Sequence, residues 1–285
     1  MTNRPSKWFT DKAHLAAEAY GDNQRLADRG AVYRYLQLQS VDLGTHPFRG
    51  PGVVGLVSTF LDPALTGPGL DIGCGTGQYL PLLASQCEHV VAADLSEGML
   101  AALPDGPWER RVADVEALPF ADNSFQVVLA NHMLYHCPDL TTALSELHRV
   151  LRPGGTLIAT TNGGGNFAEA YALLAQAASD VRGTAAPALT PADERFTVES
   201  GAELLGTLFG DVSAHSARGI LTFQDAESLD ALRAYFRSVR EEWAFRYQLD
   251  WPSLETALNR RIDEHAASDP ITISTRSGTL VALRE

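Results

Sequence analysis

The run Leu70-Asp71-Ile72-Gly73-Cys74-Gly75-Thr76-Gly77 constrains the fold more than any other stretch of the chain. A short apolar strand passes an acid and enters a turn with glycine at every second position. Apolar residues at helical spacing follow from Gln78 (Tyr79, Leu80, Leu82, Leu83), which predicts a helix opening there. Glycine has no Cβ, so such a turn can take positive φ and bring its backbone close to a ligand. A helix N-terminus behind it offers free N–H groups and the positive end of a dipole, which suits the polar part of a nucleoside-type cofactor. Taken alone, the turn also has a plainer reading as a strand-to-helix corner.

The next eighty or so residues narrow that choice. Val90-Val91-Ala92-Ala93-Asp94 and Val112-Ala113-Asp114 each read as an apolar strand ending in an acid. Phe125 to Asn131 and Gly155 to Thr161 read as two more strands, with helical patterns between. Strand–helix alternation implies a parallel sheet, whose ligand sits off the carboxyl ends of the strands where their order reverses. Asp71, Asp94, Asp114 and Asn131 all fall at or near such ends.

On these residues the chain resembles the class I S-adenosylmethionine-dependent methyltransferases of small-molecule type, over roughly residues 68–162. The Asp-x-Gly-x-Gly-x-Gly spacing fits that family, whereas a dinucleotide fingerprint would need glycine where Gln78 stands. Leu118-Pro119-Phe120 and Leu151-Arg152-Pro153-Gly154-Gly155 are similar to family features as well. The resemblance implies S-adenosyl-L-methionine as cofactor, with Asp71, Gly73, Gly75 and Gly77 around its methionine part and Asn131 at the neighbouring strand end. Asp94 would accept from both ribose hydroxyls, Asp114 and Val115 would meet the adenine edge, and Leu95 and Met99 would sandwich the ring. Met99 is as readily an ordinary helix-face core residue. The fold it implies is α/β: a Rossmann-like, mostly parallel seven-stranded sheet with an antiparallel last strand, an N-terminal helical cap and helical lid insertions. Its divisions are 1–52 for the cap, 53–162 for the cofactor-binding core and 163–285 for the rest, with lid segments 163–195 and 226–265.

Composition bounds the partners. The 285 residues are 45% hydrophobic, enough for a sizeable core, and the net charge of −13 argues against a nucleic-acid backbone. No apolar run approaches a membrane span, and the N-terminus lacks the apolar stretch of a signal peptide. Three separated cysteines suit a reducing cytoplasm better than a disulfide framework, and no metal-ligand or iron–sulfur spacing occurs. The expected partner is a small-molecule acceptor, with neither nucleic acid nor membrane.

Outside the core, residues 7–39 read as helix broken at Gly21-Asp22-Asn23, followed by a loop over 40–52 and a helix from Val53 to Leu61. By the resemblance, a cap tyrosine reaches the cofactor or the acceptor; Tyr20 is the candidate, with Arg29 next. The loop Asn131-His132-Met133-Leu134-Tyr135-His136-Cys137-Pro138 emerges where the methyl group would be presented. It carries neither the Asn/Asp-Pro-Pro-aromatic sequence of amino-methylating nucleic-acid enzymes nor their cytosine-C5 counterparts' Pro-Cys order. His132 and His136 are the candidate catalytic residues, since a neutral imidazole can take a proton from an acceptor oxygen or nitrogen. In-line displacement can also run on positioning alone. Ala226 to Gln248 reads as one long helix, Val212 to Thr222 as a strand with a bend at Gly219, and Ile271–Thr275 with Thr279–Leu283 as a hairpin around Ser277-Gly278. Trp243, Phe245, Tyr247 and Trp251 line a pocket or pack the lid. Two rival functions remain: a cofactor-binding module without methyl transfer, and a nicotinamide-dependent oxidoreductase, since a strand-end acid also suits an NAD ribose.

Overall fold

In the computed structural model, which describes residues 10–16, 23–42, 52–61, 67–189 and 192–285, eight strands join one sheet. They are β1 (Leu36–Asp42), β2 (Pro68–Ile72), β3 (His89–Asp94), β4 (Trp108–Val112), β5 (Phe125–Leu129), β6 (Leu151–Asn162), β7 (Asp211–Phe223) and β8 (Ile271–Leu283). Their order is β1-β7-β8-β6-β5-β2-β3-β4. The strands β4, β3, β2, β5 and β6 are parallel, β8 lies antiparallel between β6 and β7, and β1 pairs antiparallel with β7 at the edge. The order reverses between β2 and β5, which places a crevice beyond their carboxyl ends.

The near-continuous apolar runs of β3, β5 and β6 follow from coverage on both faces. Val91, Val128 and Leu157 pack on one side with Leu144 and Leu147 of helix α5 (Leu140–Val150); Val90, Val127, Leu129 and Ile158 pack on the other with Leu80 and Leu83. Each such fully buried side chain contributes about 1.5–3 kcal/mol of transfer free energy. Asp139 fixes the start of α5 by accepting from Thr142 N at 3.1 Å. The remaining helices are α1 (Asn23–Ala31), α2 (Gly52–Phe60), α3 (Leu80–Ala84), α4 (Glu97–Ala101), α6 (Ala168–Arg182), α7 (Val198–Leu205), α8 (Ala226–Ser238), α9 (Arg240–Tyr247) and α10 (Trp251–Ala266), besides a short turn at Lys12–His14.

A second apolar core lies above the sheet. Helices α6, α8, α9 and α10 bury Leu174, Phe236, Trp243, Leu258 and Ile262 against Leu221, Phe223, Ile271 and Ile273. Strands β7 and β8 are 13 residues each, and the first part of β8 pairs with β7 alone. The two strands therefore project beyond β6 as a ribbon, and the helices of 163–195 and 226–265 are built on it.

Several expectations need correction. The sheet has eight strands rather than seven, because Leu36–Asp42, expected as helix and loop, pairs with Ser216–Leu221. In the described part of 7–39, α-helix covers Lys12–His14, continued by a π turn at Leu15 and Ala16, and Asn23–Ala31, with a 3₁₀ turn at Val32–Tyr35 before strand β1. The expected hairpin at Ser277-Gly278 is one unbroken strand. Glycine occupies 278 because a Cβ there would stand 2.4 Å from the His215 carbonyl oxygen and 2.7 Å from Val198 Cγ2, a close approach rather than a turn. Strand β7 also runs through Gly219, which pairs with Leu38 of β1 next to a register shift between Leu38 and Ser40. The long helix 226–248 splits at Val239 (φ −115°, ψ 15°). Strand β4 ends at Val112, so Ala113 and Asp114 lie beyond it. Among the described residues, no helix is long and apolar enough to cross a membrane.

Candidate active site

Strand β2 delivers the glycine turn into the crevice. Gly73 and Gly75 have φ of +69° and +51°, left-handed backbone that a side chain would strain, and a Cβ on Gly73 would lie 2.9 Å from Met133. The amides of Gly73 and Cys74 both donate to the Ala93 carbonyl, at 2.8 and 3.0 Å, which ties the turn to the end of β3. Gly77 is also left-handed (φ +77°), and the helix expected from Gln78 starts at Leu80 as α3. The expected dipole contribution comes down to a five-residue helix with no capping side chain.

Asp94, at the end of β3, organises the neighbouring loops. Its Oδ2 accepts from Gly75 N at 2.9 Å and its Oδ1 from Ser96 N at 2.9 Å, and the Leu95 amide meets the same carboxylate. Burial raises its pKa despite the amides it accepts from. Ser96 caps α4 by accepting from Met99 N at 3.2 Å, which points Leu95 and Met99 at the crevice wall. Asp71 sits one layer below. Its carboxylate oxygens are buried without a hydrogen-bond partner, and burial, followed by the neighbouring Asp94, pushes its pKa up to about 8.

Beyond β4, Asp114 receives Lys12 Nζ at 2.5 Å, and the same ammonium reaches Glu116 at 2.7 Å. At the end of β5, Asn131 Oδ1 accepts from Thr160 Oγ1 at 2.9 Å, and Thr160 also hydrogen-bonds Tyr79. The Asn131 Nδ2 is left buried without a partner, a donor in want of a ligand acceptor. His132 follows in left-handed geometry (φ 53°), its amide held by the Thr160 carbonyl at 2.9 Å. Burial holds its imidazole well below the ordinary histidine range, hence neutral. His136 stands at the 3₁₀ turn Leu134–His136, with its ring 4.6 Å from that of Tyr135.

These pieces meet in a cavity of about 780 Å³. Gly73, Gly75, Asp94, Leu95, Met99 and Asp114 line it, as do Val115, Asn131, His132 and His136. Asp71 and Gly77, grouped with them on sequence, do not reach its wall, and Tyr20 lies outside the described residues. Arg29 does reach it, while donating to the Ser238 carbonyl at 3.2 Å. The lid aromatics divide: Trp243 lines the cavity, Tyr247 is buried in the lid core, Trp251 packs beside it, and Phe245 is exposed. Lys12, Tyr33, Phe167, Tyr171 and Tyr235 also line it and were not anticipated. They come from segments without a local motif, and only the tertiary fold brings them in. Among the described residues, no group of His, Cys, Asp or Glu is arranged to hold a metal ion.

A protein-family description, methyltransferase domain, matches residues 70–159, the stretch that builds the glycine turn, Asp94, Asp114, Asn131 and His132. Within those bounds, the chain is similar to a methyltransferase domain. Over 102 residues it is 34% identical to the malonyl-[acyl-carrier protein] O-methyltransferase of Serratia marcescens, covering 35% of this chain and 40% of that protein. Over 88 residues it is 42% identical to the demethylmenaquinone methyltransferase of Corynebacterium glutamicum, covering 31% and 38%. The chain thus matches about two fifths of the length of these curated relatives. In fold, it is similar to Haemonchus contortus phosphoethanolamine N-methyltransferase 2 in complex with S-adenosyl-L-methionine, with a TM-score of 0.52 and 19% identity over 97% of this chain and 60% of that one.

Proposed function

We propose that the chain transfers a methyl group from S-adenosyl-L-methionine to an oxygen, nitrogen or carbon nucleophile of a small acceptor. The observation that carries this reading is the convergence, on one cavity, of a left-handed glycine turn, the Asp94 carboxylate, an unpartnered Asn131 amide and a neutral His132. The relatives that share the domain act, by their names, on a carrier-bound malonyl group and on demethylmenaquinone, so the domain is compatible with acceptors of different chemistry.

The residues fit such a cofactor. Asp94, a carboxylate on the cavity wall, would accept from a ribose diol, and Leu95 and Met99 would offer apolar surface for the adenine. Asp114 and Val115 would meet the adenine edge, beside Lys12, which pairs with Asp114. Gly73 and Gly75, both on the cavity wall, would adjoin the methionine part, and Asn131 Nδ2 would supply a donor. Bound there, the cofactor would supply an electrophilic methyl on a sulfonium. The protein's own tasks are to orient the acceptor, exclude water under the lid and, through His132, hold a proton as the nucleophile loses it. Because His132 is neutral, it accepts that proton without first having to lose one. The cavity lies within the range typical of cofactor and ligand sites, about 300–1,000 Å³, near its upper end, which leaves space for a small acceptor beside the cofactor.

Calorimetry with S-adenosyl-L-methionine and S-adenosylhomocysteine tests the reading. Both are expected to bind the wild-type chain, Asp94→Ala to weaken both, and NADH not to bind. Absence of binding by either sulfur ligand would overturn it.

A further inference from the structure

The loop that carries both candidate histidines, residues 131–139, is tied to the rest of the fold at its ends and in its middle. At its start, His132 N donates to the Thr160 carbonyl at 2.9 Å. In the middle, His136 N and Cys137 N donate back to the Met133 and Leu134 carbonyls at 2.9 and 3.1 Å, which closes the 3₁₀ turn. Arg195, from the lid segment, donates to the Tyr135 and Pro138 carbonyls, each at 3.3 Å. At the far end, the Asp139 amide donates to Glu116 Oε1 at 2.8 Å, across 23 positions of sequence. Asp139 is also the residue whose side chain starts α5, so Glu116 sets the point where the loop passes into helix.

Glu116 is itself held beside Asp114. Its amide donates to Asp114 Oδ1 at 3.0 Å, and Ala117 N closes the same turn on the Asp114 carbonyl at 3.0 Å. Its Oε2 takes Lys12 Nζ at 2.7 Å, so each carboxylate oxygen has its own partner, and the side chain is 14% exposed. A backbone N–H given to a carboxylate makes a charge-assisted bond, about twice as strong as a neutral one. Burial, followed by the Glu116 carboxylate, pushes the Cys137 thiol up to about 12, so the loop carries a neutral thiol against that charge. A short chain of hydrogen bonds thus runs from Asp114 Oδ1, through the amide and carboxylate of Glu116, to the Asp139 amide. It joins the adenine edge of the proposed cofactor site to the histidine loop.

We infer that Glu116 is a positioning residue, through which occupancy of the adenine edge steadies residues 132–139, the loop that presents His132 and His136 to the methyl acceptor. This rests on the methyltransferase reading and adds to it a coupling between the cofactor and acceptor halves of the cavity. A donor from the adenine fixes the Asp114 carboxylate, Asp114 fixes the Glu116 amide, and the Glu116 carboxylate fixes the start of α5. Such coupling is reciprocal: an acceptor that needs the ordered loop binds the cofactor-loaded chain more tightly and retains the cofactor in turn.

The test is hydrogen exchange of the His136, Cys137 and Asp139 amides, read by NMR on the isotope-labelled chain with and without saturating S-adenosylhomocysteine. In the wild type, the ligand is expected to slow all three about five-fold or more, since exchange reports local opening. Glu116→Met keeps the side-chain volume and removes the oxygen. Its Asp139 amide is expected to exchange about ten-fold faster, and the ligand to slow His136 and Cys137 less than about two-fold, with S-adenosylhomocysteine affinity within about three-fold of the wild type. Glu116→Gln offers the Asp139 amide an oxygen without the charge and is expected to restore the slowing, which loss of the Lys12 contact or of general stability would not do. A ligand that binds the wild type without slowing these amides would overturn the inference, and that comparison needs no variant to fold. A Met variant that behaves as wild type, or a Gln variant as impaired as the Met variant, would overturn it as well, and all three results leave the methyltransferase reading in place. Failure of S-adenosylhomocysteine to bind the wild-type chain would overturn both.

Discussion

The two walls of the cavity are built on opposite principles. On the side of β2, β3 and β5, the side chains that matter stand at or just beyond strand ends, and main-chain amides hold them: Asp94 by Gly75 N and Ser96 N, the glycine turn by the Ala93 carbonyl. On the lid side, the cavity-facing residues come from α6, α8, α9 and the segment after α1, and apolar packing against the β7–β8 ribbon sets their positions. A backbone-held wall tolerates little variation in sequence, because its geometry is written into φ angles and strand ends. A packed wall can exchange one ring for another of similar volume. The first arrangement suits a ligand that does not change, and the second one that does.

The sharpest way to break this comparison is Asp94→Ala. Two amides lose their acceptor and the ligand hydroxyls lose theirs, so cofactor affinity is expected to fall by about 1–3 kcal/mol, up to roughly a hundred-fold. Calorimetry checks it, and an equal loss of acceptor binding in the same variant would deny that the two walls act separately. Gly278→Ala probes the ribbon under the lid instead. Its Cβ would run into the His215 carbonyl and Val198, so overpacking is expected to cost about 1–3 kcal/mol and lower Tm by several degrees. Thermal unfolding measures the shift, with cofactor affinity per folded molecule unchanged.

The same contrast explains what could be read from the sequence. Asp94, Asn131 and the glycine turn were legible because strand alternation and glycine spacing are local, and the chain's path places them without knowledge of its packing. Asp71 shows where that logic stops. It shares the motif, but it lies within β2, buried beneath cavity-lining neighbours such as Asp94, a depth that the motif does not encode. Gly278 misled for a related reason, since a glycine required by the close approach of Val198 and one required by a turn look alike in sequence. Tyr33, Phe167, Tyr171 and Tyr235 had no signal at all; aromatic residues at helical spacing read as core until the ribbon is known to lift their helices over the crevice.

His132 sits where the walls meet, and its titration sharpens the boundary. The unfolded chain takes up a proton near pH 6.5, while burial holds the folded imidazole well below that, so proton uptake favours unfolding as pH falls through this window. The expected outcome is an acid limb of kcat/KM more than one pH unit below 6.5, with His132→Gln lowering kcat roughly 10²-fold or more if proton transfer is part of the step. A limb at the ordinary histidine value would mean that the imidazole is solvated, and a variant with full turnover would leave positioning alone as the source of catalysis.

Lys12 spans the comparison from the other end, since it belongs to the N-terminal segment yet closes on Asp114 and Glu116 of the backbone-held wall. The ammonium and the Asp114 side chain are about a third exposed (35% and 30%), and water screens the pair, so its contribution is small despite the short distances. Lys12→Met is expected to cost about 0.2–1 kcal/mol, and the difference between variant and wild type should shrink as salt rises toward the molar range, where the screening length falls to about 3 Å. The readout that decides what the contact does is cofactor release. A faster dissociation of S-adenosylhomocysteine at low salt, with Tm nearly unchanged, would make Lys12 a latch across the adenine edge. An equal shift in Tm without a change in release would make it a tether for the N-terminal segment alone, and the two walls would then meet only through the lid.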